Sequence, residues 1–426
     1  MKTMLKKHTF IHRYSSFALV FAPFLFPYFF PGTTTNLETV WVFLNGLVFL
    51  GYNFYKRIKP ISPLSLKFFL IYSLLIPVYG YTIFGNSGGI KSSWATIIPF
   101  VLFLINAVPL LSWKHIQKYY RILVYCSIVF FAIQEVMFNT IGYRATAYVP
   151  FLPISYDYTT TYTFSAINSF KPRSMSFFLE PAHLAQYILG YLALSLGNDM
   201  THGKFFGKES IFITIILILT WSGNAIMGSI ILWLIYIIYC KSTLFKKSII
   251  ITTAIIAALI SFSYIVSTEK GEKLLDRQEE LSMDQARISS GTLRIFRGFF
   301  VYSKIPFDEQ LLGVGTGYTP QVIDQNPYAW MFDANEYYIN SAQTLLIGTG
   351  IFGTTIFLIF LIKLTRCKSP YPKLFIALLI TLMLIESLYC SGRMLIYLTI
   401  AMYTYYHSIR TVKNKPICKH LKLENI

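Results

Sequence analysis

Residues 210–240 read SIFITIILILTWSGNAIMGSIILWLIYIIYC, an apolar run interrupted only at Trp221-Ser222-Gly223-Asn224. A bilayer crossing takes about 20 mostly apolar residues to cover roughly 30 Å of hydrocarbon. The run is long for one upright span, so a single tilted helix competes with a hairpin of two short ones. The flanks arbitrate. Lys204 and Lys208 precede the run, and Lys241, Lys246 and Lys247 follow it. Lys and Arg collect on the inner side of a membrane, so one span would strand a basic cluster on the wrong face. A hairpin keeps both clusters together, and the pattern predicts spans over 210–222 and 223–240.

Working outward, further apolar stretches predict spans at 16–30, 37–55, 64–84, 95–113, 122–140, 176–197, 248–267, 341–362, 374–389 and 394–409. The chain has 426 residues, 54% hydrophobic and 13% charged. The expected fold class is therefore an all-α integral membrane protein, a bundle of about twelve transmembrane helices with two larger outer loops. Its expected organisation is a five-span region (1–140), a first large outer loop (141–175), central membrane helices (176–267), a second large outer loop (268–340) and a three-span region with a basic tail (341–426).

With both termini inside, every short basic loop falls on one side: Lys2, Lys6, Lys7 and Arg13; Lys56, Arg57 and Lys59; Lys114–Arg121; and the tail with Arg410, Lys413, Lys415, Lys419 and Lys422. Most of the 19 Asp/Glu fall on the other side. The net charge of +18 thus reads as topology and attraction to anionic lipid heads, which excludes a nucleic-acid footprint. The basic start and first apolar stretch mimic a signal peptide. No small-residue cleavage site follows, and Pro31-Gly32-Thr33 reads as a turn after a retained helix. Of the cysteines, only Cys390 is expected near the outer face, so no exported disulfide is expected, and no Cys/His spacing suggests a metal.

Ionisable residues inside spans are costly and point to function. Glu135, Glu180, His183 and Glu386 fall in the expected spans, with Arg393 just beyond one. The three glutamates lie within roughly 10 Å of the outer helix ends at about 1.5 Å per residue. The densest stretch is Arg173-Ser174-Met175-Ser176-Phe177-Phe178-Leu179-Glu180-Pro181-Ala182-His183. Glu180, His183 and Tyr187 share one helix face at this spacing, and Pro181 either starts or kinks the helix. The Glu-His couple is either a catalytic pair or a buried structural one.

Arg287, Arg294 and Arg297 stand on one face of a second helical stretch. Guanidinium forks hold phosphate oxygens bidentately, so such a stripe suits a pyrophosphate; pairing with Glu279, Glu280 and Asp284 is the bland alternative. Gly313-Val314-Gly315-Thr316-Gly317 lacks the Lys-Ser/Thr of a nucleotide loop and reads as a flexible turn returning to the membrane. Tyr143, Tyr148, Tyr156, Tyr158 and Tyr162 suit either sugar stacking or an interfacial aromatic belt.

At these residues the chain resembles the superfamily of O-antigen and capsular polysaccharide polymerases and O-antigen ligases. Arg173 with Phe177-Phe178-Leu179-Glu180-Pro181-Ala182-His183 resembles the polymerases' arginine, aromatic and Glu-Pro signature. Arg294 followed by Pro306 and Leu312-Gly313-Val314-Gly315-Thr316-Gly317 resembles their arginine helix and glycine return. Asn335-Glu336-Tyr337-Tyr338 running into Gly348-Thr349-Gly350-Ile351-Phe352-Gly353 resembles their entry to the next span, and Ser222 fits a family serine between two spans. Ligases carry a histidine just before the asparagine of that last motif; here Ala334 stands there, which favours a polymerase.

The resemblance implies a metal-independent, inverting glycosyltransferase with no cofactor, in the bacterial cytoplasmic membrane. Its partners would be undecaprenyl-pyrophosphate-linked oligosaccharide, membrane lipids and a chain-length regulator. Glu180, His183 and Glu386 are the expected catalytic residues, with Glu135 as an alternative base. Arg173, Arg287, Arg294, Arg297 and Arg393 would grip pyrophosphate, and Tyr187, Asn335 and Tyr337 would meet sugar. A lipid-linked oligosaccharide flippase is the rival of another class. It predicts charges deep in the bundle and pseudo-symmetric halves, neither of which the sequence displays.

Overall fold

The computed structural model describes residues 2–31, 35–142, 145, 149, 152–154, 174–204, 207–240, 296–325 and 339–413. These residues form helices and, apart from two isolated bridges (Tyr28 with Ile154, Phe29 with Asn36), no β-structure. The expected span at 248–267 lies outside the described residues, as do Tyr143, Tyr148, Tyr156, Tyr158 and Tyr162.

The helices are α1 (Lys2–Phe21), α2 (Leu37–Lys56), α3 (Leu64–Phe84), α4 (Ser87–Ala107), α5 (Trp113–Ile141), α6 (Pro181–Thr201), α7 (Lys208–Leu219) and α8 (Gly223–Tyr239). After them come three short helices, α9 (Gly298–Tyr302), α10 (Phe307–Leu312) and α11 (Thr319–Asp324). The last are α12 (Ser341–Thr365), α13 (Pro370–Ile385) and α14 (Gly392–Lys413). Helices α2, α3, α4 with its continuation to Leu110, α5 and α12 are long and apolar enough to cross a membrane; α8 and α13 are apolar but shorter.

Several expected boundaries move, each for a local reason. The first helix ends at Phe21 rather than near 30, because Pro23 turns the chain into a short 3-10 segment. Helix α4 starts at Ser87 instead of 95, since the Asn86 side chain accepts the Gly88 N–H at 2.8 Å and caps a polar first turn. Helix α6 begins at Pro181, not 176. Pro181 occupies the first helical position, where its missing N–H costs nothing, and Ser176 takes a left-handed φ of 55°. The run 210–240 divides into α7 and α8 at Thr220–Ser222, with Trp221 at φ 52°. Twelve-residue α7 rises about 18 Å, short of a full hydrocarbon crossing.

Helix α6 is the axis of the bundle. Nearly every residue along it is buried, as expected of a helix that is apolar all round. Helices α5, α8, α13 and α14 surround it, while α2 packs on α4 and α3 on α12. In lipid, helices associate through close packing, and small residues permit it. Gly190 admits Tyr120 and Tyr397, Gly197 admits the ring of Tyr371, and Gly228 receives Leu189.

The two ends of the bundle differ in character. At the end bearing Arg121 and Lys204, Arg121 Nε meets Glu209 Oε1 at 2.9 Å, and the Tyr191 hydroxyl donates to the same oxygen at 2.6 Å. Asn198 Oδ1 accepts from Gln117 and Tyr371 there, both at 2.7 Å. These bonds tie α5, α6, α7 and α13 together.

Residues 313–318 form a wedge rather than a flexible turn. They thread between α3, α4 and α12, with Gly313, Val314 and Gly315 buried. Helix α12 breaks at Gly350 (φ 62°, ψ −174°), and the Val314 and Gly315 amides donate to the Ile347 and Gly348 carbonyls at 3.2 and 2.7 Å. Non-helical backbone at membrane depth survives only where protein satisfies it, and here the wedge does so.

Candidate active site

The ends of α2, α6, α8, α12, α13 and α14 opposite the Arg121–Glu209 end converge on a cluster of buried polar side chains. Glu180 is the residue just before α6. Its extended backbone offers its carbonyl to the amides of His183 (3.1 Å) and Leu184 (3.2 Å), and its side chain is half-buried. Glu180 therefore does not continue the helical face of His183 and Tyr187, as the spacing suggested.

His183 is buried, its ring edge-on to Phe26 with centroids 5.1 Å apart. The Arg393 guanidinium packs on the same phenyl ring, 4.9 Å from its centroid. Half-buried Phe26 thus covers an arginine that is only 2% exposed. Beneath it, Arg393 Nη1 donates to Gln186 Oε1 at 2.6 Å. Its Nε and Nη2, and the Nε2 of Gln186, have no hydrogen-bond partner among the described residues.

Glu38 completes this chamber. Asn36 caps α2 by accepting the Glu38 N–H at 2.7 Å, which turns the Glu38 side chain of the first helical turn inward. There its carboxylate lies against the start of α14, so close that a Cβ on Gly392 would collide with Oε1. A carboxylate at a helix N-terminus is electrostatically favoured, and Arg393 adds attraction through space. The two side chains stop short of an ion pair, and the Gly392 amide at the start of α14 meets the Glu38 carboxyl.

Glu386 sits just past α13, buried. Its carbonyl accepts from the Ser341 amide at 2.9 Å and hydroxyl at 2.7 Å, and its Oε1 accepts from Asn224 Nδ2 at 3.0 Å. Asn224 lies in the first turn of α8, so this second carboxylate also rests on a helix N-terminus. Arg297 is 1% exposed. Its neighbour Gly298 packs on Gln343 in the first turn of α12, which brings Arg297 to the helix start that Glu386 holds.

Of the residues expected from the sequence, Glu180, His183, Glu386, Arg393 and Arg297 thus stand at one end of the bundle. Tyr187 does not face an open site. It is 1% exposed among Phe24, Phe178 and Tyr120, and its hydroxyl donates to the Val20 carbonyl at 3.0 Å, so the expected sugar-facing position is a core position. Glu135 is half-exposed on α5, whose inward residue is Gln134, accepting the Ser176 amide at 2.7 Å. Arg173, Arg287, Arg294, Asn335 and Tyr337 lie outside the described residues.

Glu38, Gln186 and Asn224 are additions that the sequence reading passed over. A census of ionisable groups ignores amides, and Glu38 stands at the very edge of the expected span 37–55. The cue was available: an Asn two positions before an acid at the start of an apolar run marks a cap.

At the same end but outside the bundle, Asp308 on α10 accepts the Tyr79 hydroxyl at 2.6 Å. That bond holds its carboxyl below the usual range. Burial pushes the Glu309 carboxyl up, with Asp308 adding like-charge repulsion. No group of three or more His, Cys, Asp or Glu among the described residues could hold a metal ion. No family model matches the chain, and no curated protein matches it.

Proposed function

We propose that the chain is a bacterial surface-polysaccharide polymerase of the cytoplasmic membrane, with about twelve spans and both termini on the cytoplasmic side. It moves a growing glycan from undecaprenyl pyrophosphate onto another lipid-linked repeat unit at the outer face. Arg297, with Arg173, Arg287 and Arg294, grips the departing pyrophosphate. Charge develops on that group in the transition state, so preorganised guanidinium groups lower the barrier directly. A carboxylate beside them receives the acceptor's proton, with Glu180 and Glu386 as the residues the motifs single out.

One observation carries the reading. Buried arginines and buried carboxylates collect at the helix ends remote from the basic loops. Burial of ionisable groups is costly, and a cluster of them at a bundle's rim fits a site for a charged, lipid-anchored substrate better than it fits packing. The position of the cluster near the helix ends suits chemistry at the membrane surface rather than passage through the midplane.

The test is polymer length by gel in cells carrying Arg294→Ala, Glu180→Gln or His183→Ala. Loss of long polymer at normal membrane levels supports the reading; wild-type ladders from Arg294→Ala and Glu180→Gln remove it. Single repeats displayed outside mark a lost polymerase, whereas repeats trapped on the inner leaflet mark a lost flippase.

A further inference from the structure

The chamber under Phe26 holds a specific imbalance of hydrogen-bonding groups. Glu38 is 5% exposed, Gln186 1% and Arg393 2%, yet Gln186 and Arg393 retain buried donors with no hydrogen-bond partner among the described residues. Buried polar groups ordinarily find partners, because leaving one unmade costs about 1–3 kcal/mol. Three donors (Arg393 Nε and Nη2, Gln186 Nε2) remain open, and the Glu38 carboxyl, which the Gly392 amide meets, keeps lone pairs that a further donor could reach. The group that would satisfy them must both accept and donate.

A phosphate accepts but at neutral pH does not donate well, and Glu38 would repel its charge in this buried setting. A neutral hydroxyl meets both demands: its oxygen accepts from Arg393 and Gln186, and its proton points at Glu38. Half-buried Phe26 lies over the Arg393 guanidinium, 4.9 Å from its ring centroid, and is the ring a ligand arriving from that side would displace.

We propose that Glu38, Gln186 and Arg393 form the subsite for the acceptor sugar's hydroxyl, with Glu38 as the carboxylate that takes its proton. This rests on the glycan-transfer reading above, assigns Arg393 to the acceptor instead of to the pyrophosphate, and gives the base role to Glu38 in place of Glu180 or Glu386. In the step, the hydroxyl O–H bond breaks and its proton passes to Glu38. The freed oxygen bonds to the anomeric carbon of the polyprenyl-pyrophosphate-linked donor. That carbon's bond to the pyrophosphate oxygen breaks, and the departing pyrophosphate keeps the electron pair. Glu38 then returns its proton to water.

The experiment uses the full-length protein in nanodiscs with lipid-linked repeat units as both donor and acceptor. Glu38→Gln keeps the shape and the acceptor oxygen facing Gly392 but cannot take a proton. Its kcat should fall by about 100-fold or more, as expected for a lost general base. Its affinity for undecaprenyl pyrophosphate should stay within about twofold of wild type and its thermal midpoint should be unchanged, which a merely structural role for Glu38 would not allow. Lengthening by Glu38→Gln at close to the wild-type rate overturns this inference alone. So does a parallel loss of pyrophosphate affinity and thermal stability. Failure of the wild-type protein to lengthen any glycan overturns the enzymatic reading, and this inference with it.

Discussion

The Gly315 amide donates to the Gly348 carbonyl at 2.7 Å, across the break that Gly350 makes in α12. A helix interrupted inside a membrane frees carbonyls that water cannot reach, and a second segment must satisfy them. Gly313 (φ 80°) and Gly315 (φ 92°) let the wedge adopt the conformation that does so, with Gly315 lying against Pro77 of α3. Asp308 and Tyr79 fasten the helix preceding the wedge to the same α3.

Gly350→Ala should therefore destabilise the protein. The conformation at Gly350 is nearly glycine-only, worth roughly 1–3 kcal/mol of strain for another residue, and an added Cβ would also collide with the Leu311 carbonyl. Gly85→Asn is the matched control: it also has positive φ (64°), but open space surrounds its Cβ, and Asn tolerates left-handed backbone. Thermal unfolding in detergent should separate the two clearly.

Asn224→Ala should weaken the end of α13 by removing one hydrogen bond to the buried Glu386 carboxyl, at a cost of about 1 kcal/mol. Glu386→Gln should cost less, because its amide oxygen still accepts. A double-mutant cycle on thermal midpoints would show coupling between the two positions; purely additive effects would contradict it.

Arg297→Lys should fail to restore long polymer despite keeping the charge. A buried guanidinium fork offers paired donors that an ammonium does not reproduce. Arg297→Ala should lower kcat by about 100-fold, read from ladder length at matched membrane abundance.

The Asp308 carboxyl has a depressed pKa in the folded protein. The stability it contributes is present above its unfolded value, about 3.9, and is lost as pH falls through the folded value. The difference in thermal midpoint between wild type and Tyr79→Phe should be visible at pH 6 and shrink on titration toward pH 3. A difference that grows on acidification would contradict the assignment.

Orientation is testable with single cysteines in a background lacking the native ones. Ser303→Cys and His202→Cys are both exposed and lie toward opposite ends of the bundle. A membrane-impermeant maleimide applied to intact cells stripped of any outer barrier should label Ser303→Cys and spare His202→Cys. The reverse pattern would turn the proposed topology over.

The apolar runs revealed most helices and the hairpin at 210–240, because a membrane span is a property of composition over about 20 residues. Their ends were less legible. Asn86 extends α4 toward its N-terminus through one side-chain bond, and Pro181 delays the start of α6 by satisfying a local rule at the expense of the apolar pattern. The charged candidates Glu180, Glu386 and Arg393 were legible because ions stand out in lipid. Tyr187 was misleading because three- and four-residue spacing places residues on one helix face without saying what that face meets.

By itself the sequence determined a chain of apolar helices of membrane-spanning character, since hydropathy acts locally and adds along the chain. Only the tertiary structure decided that Arg393 would reach Gln186, 207 positions away in sequence, and that Glu38 would lie against Gly392. Those meetings depend on the packing and register of helices whose contacts are set by small residues and buried amides. No local pattern carries that information, because each helix would be equally stable in lipid beside a different neighbour.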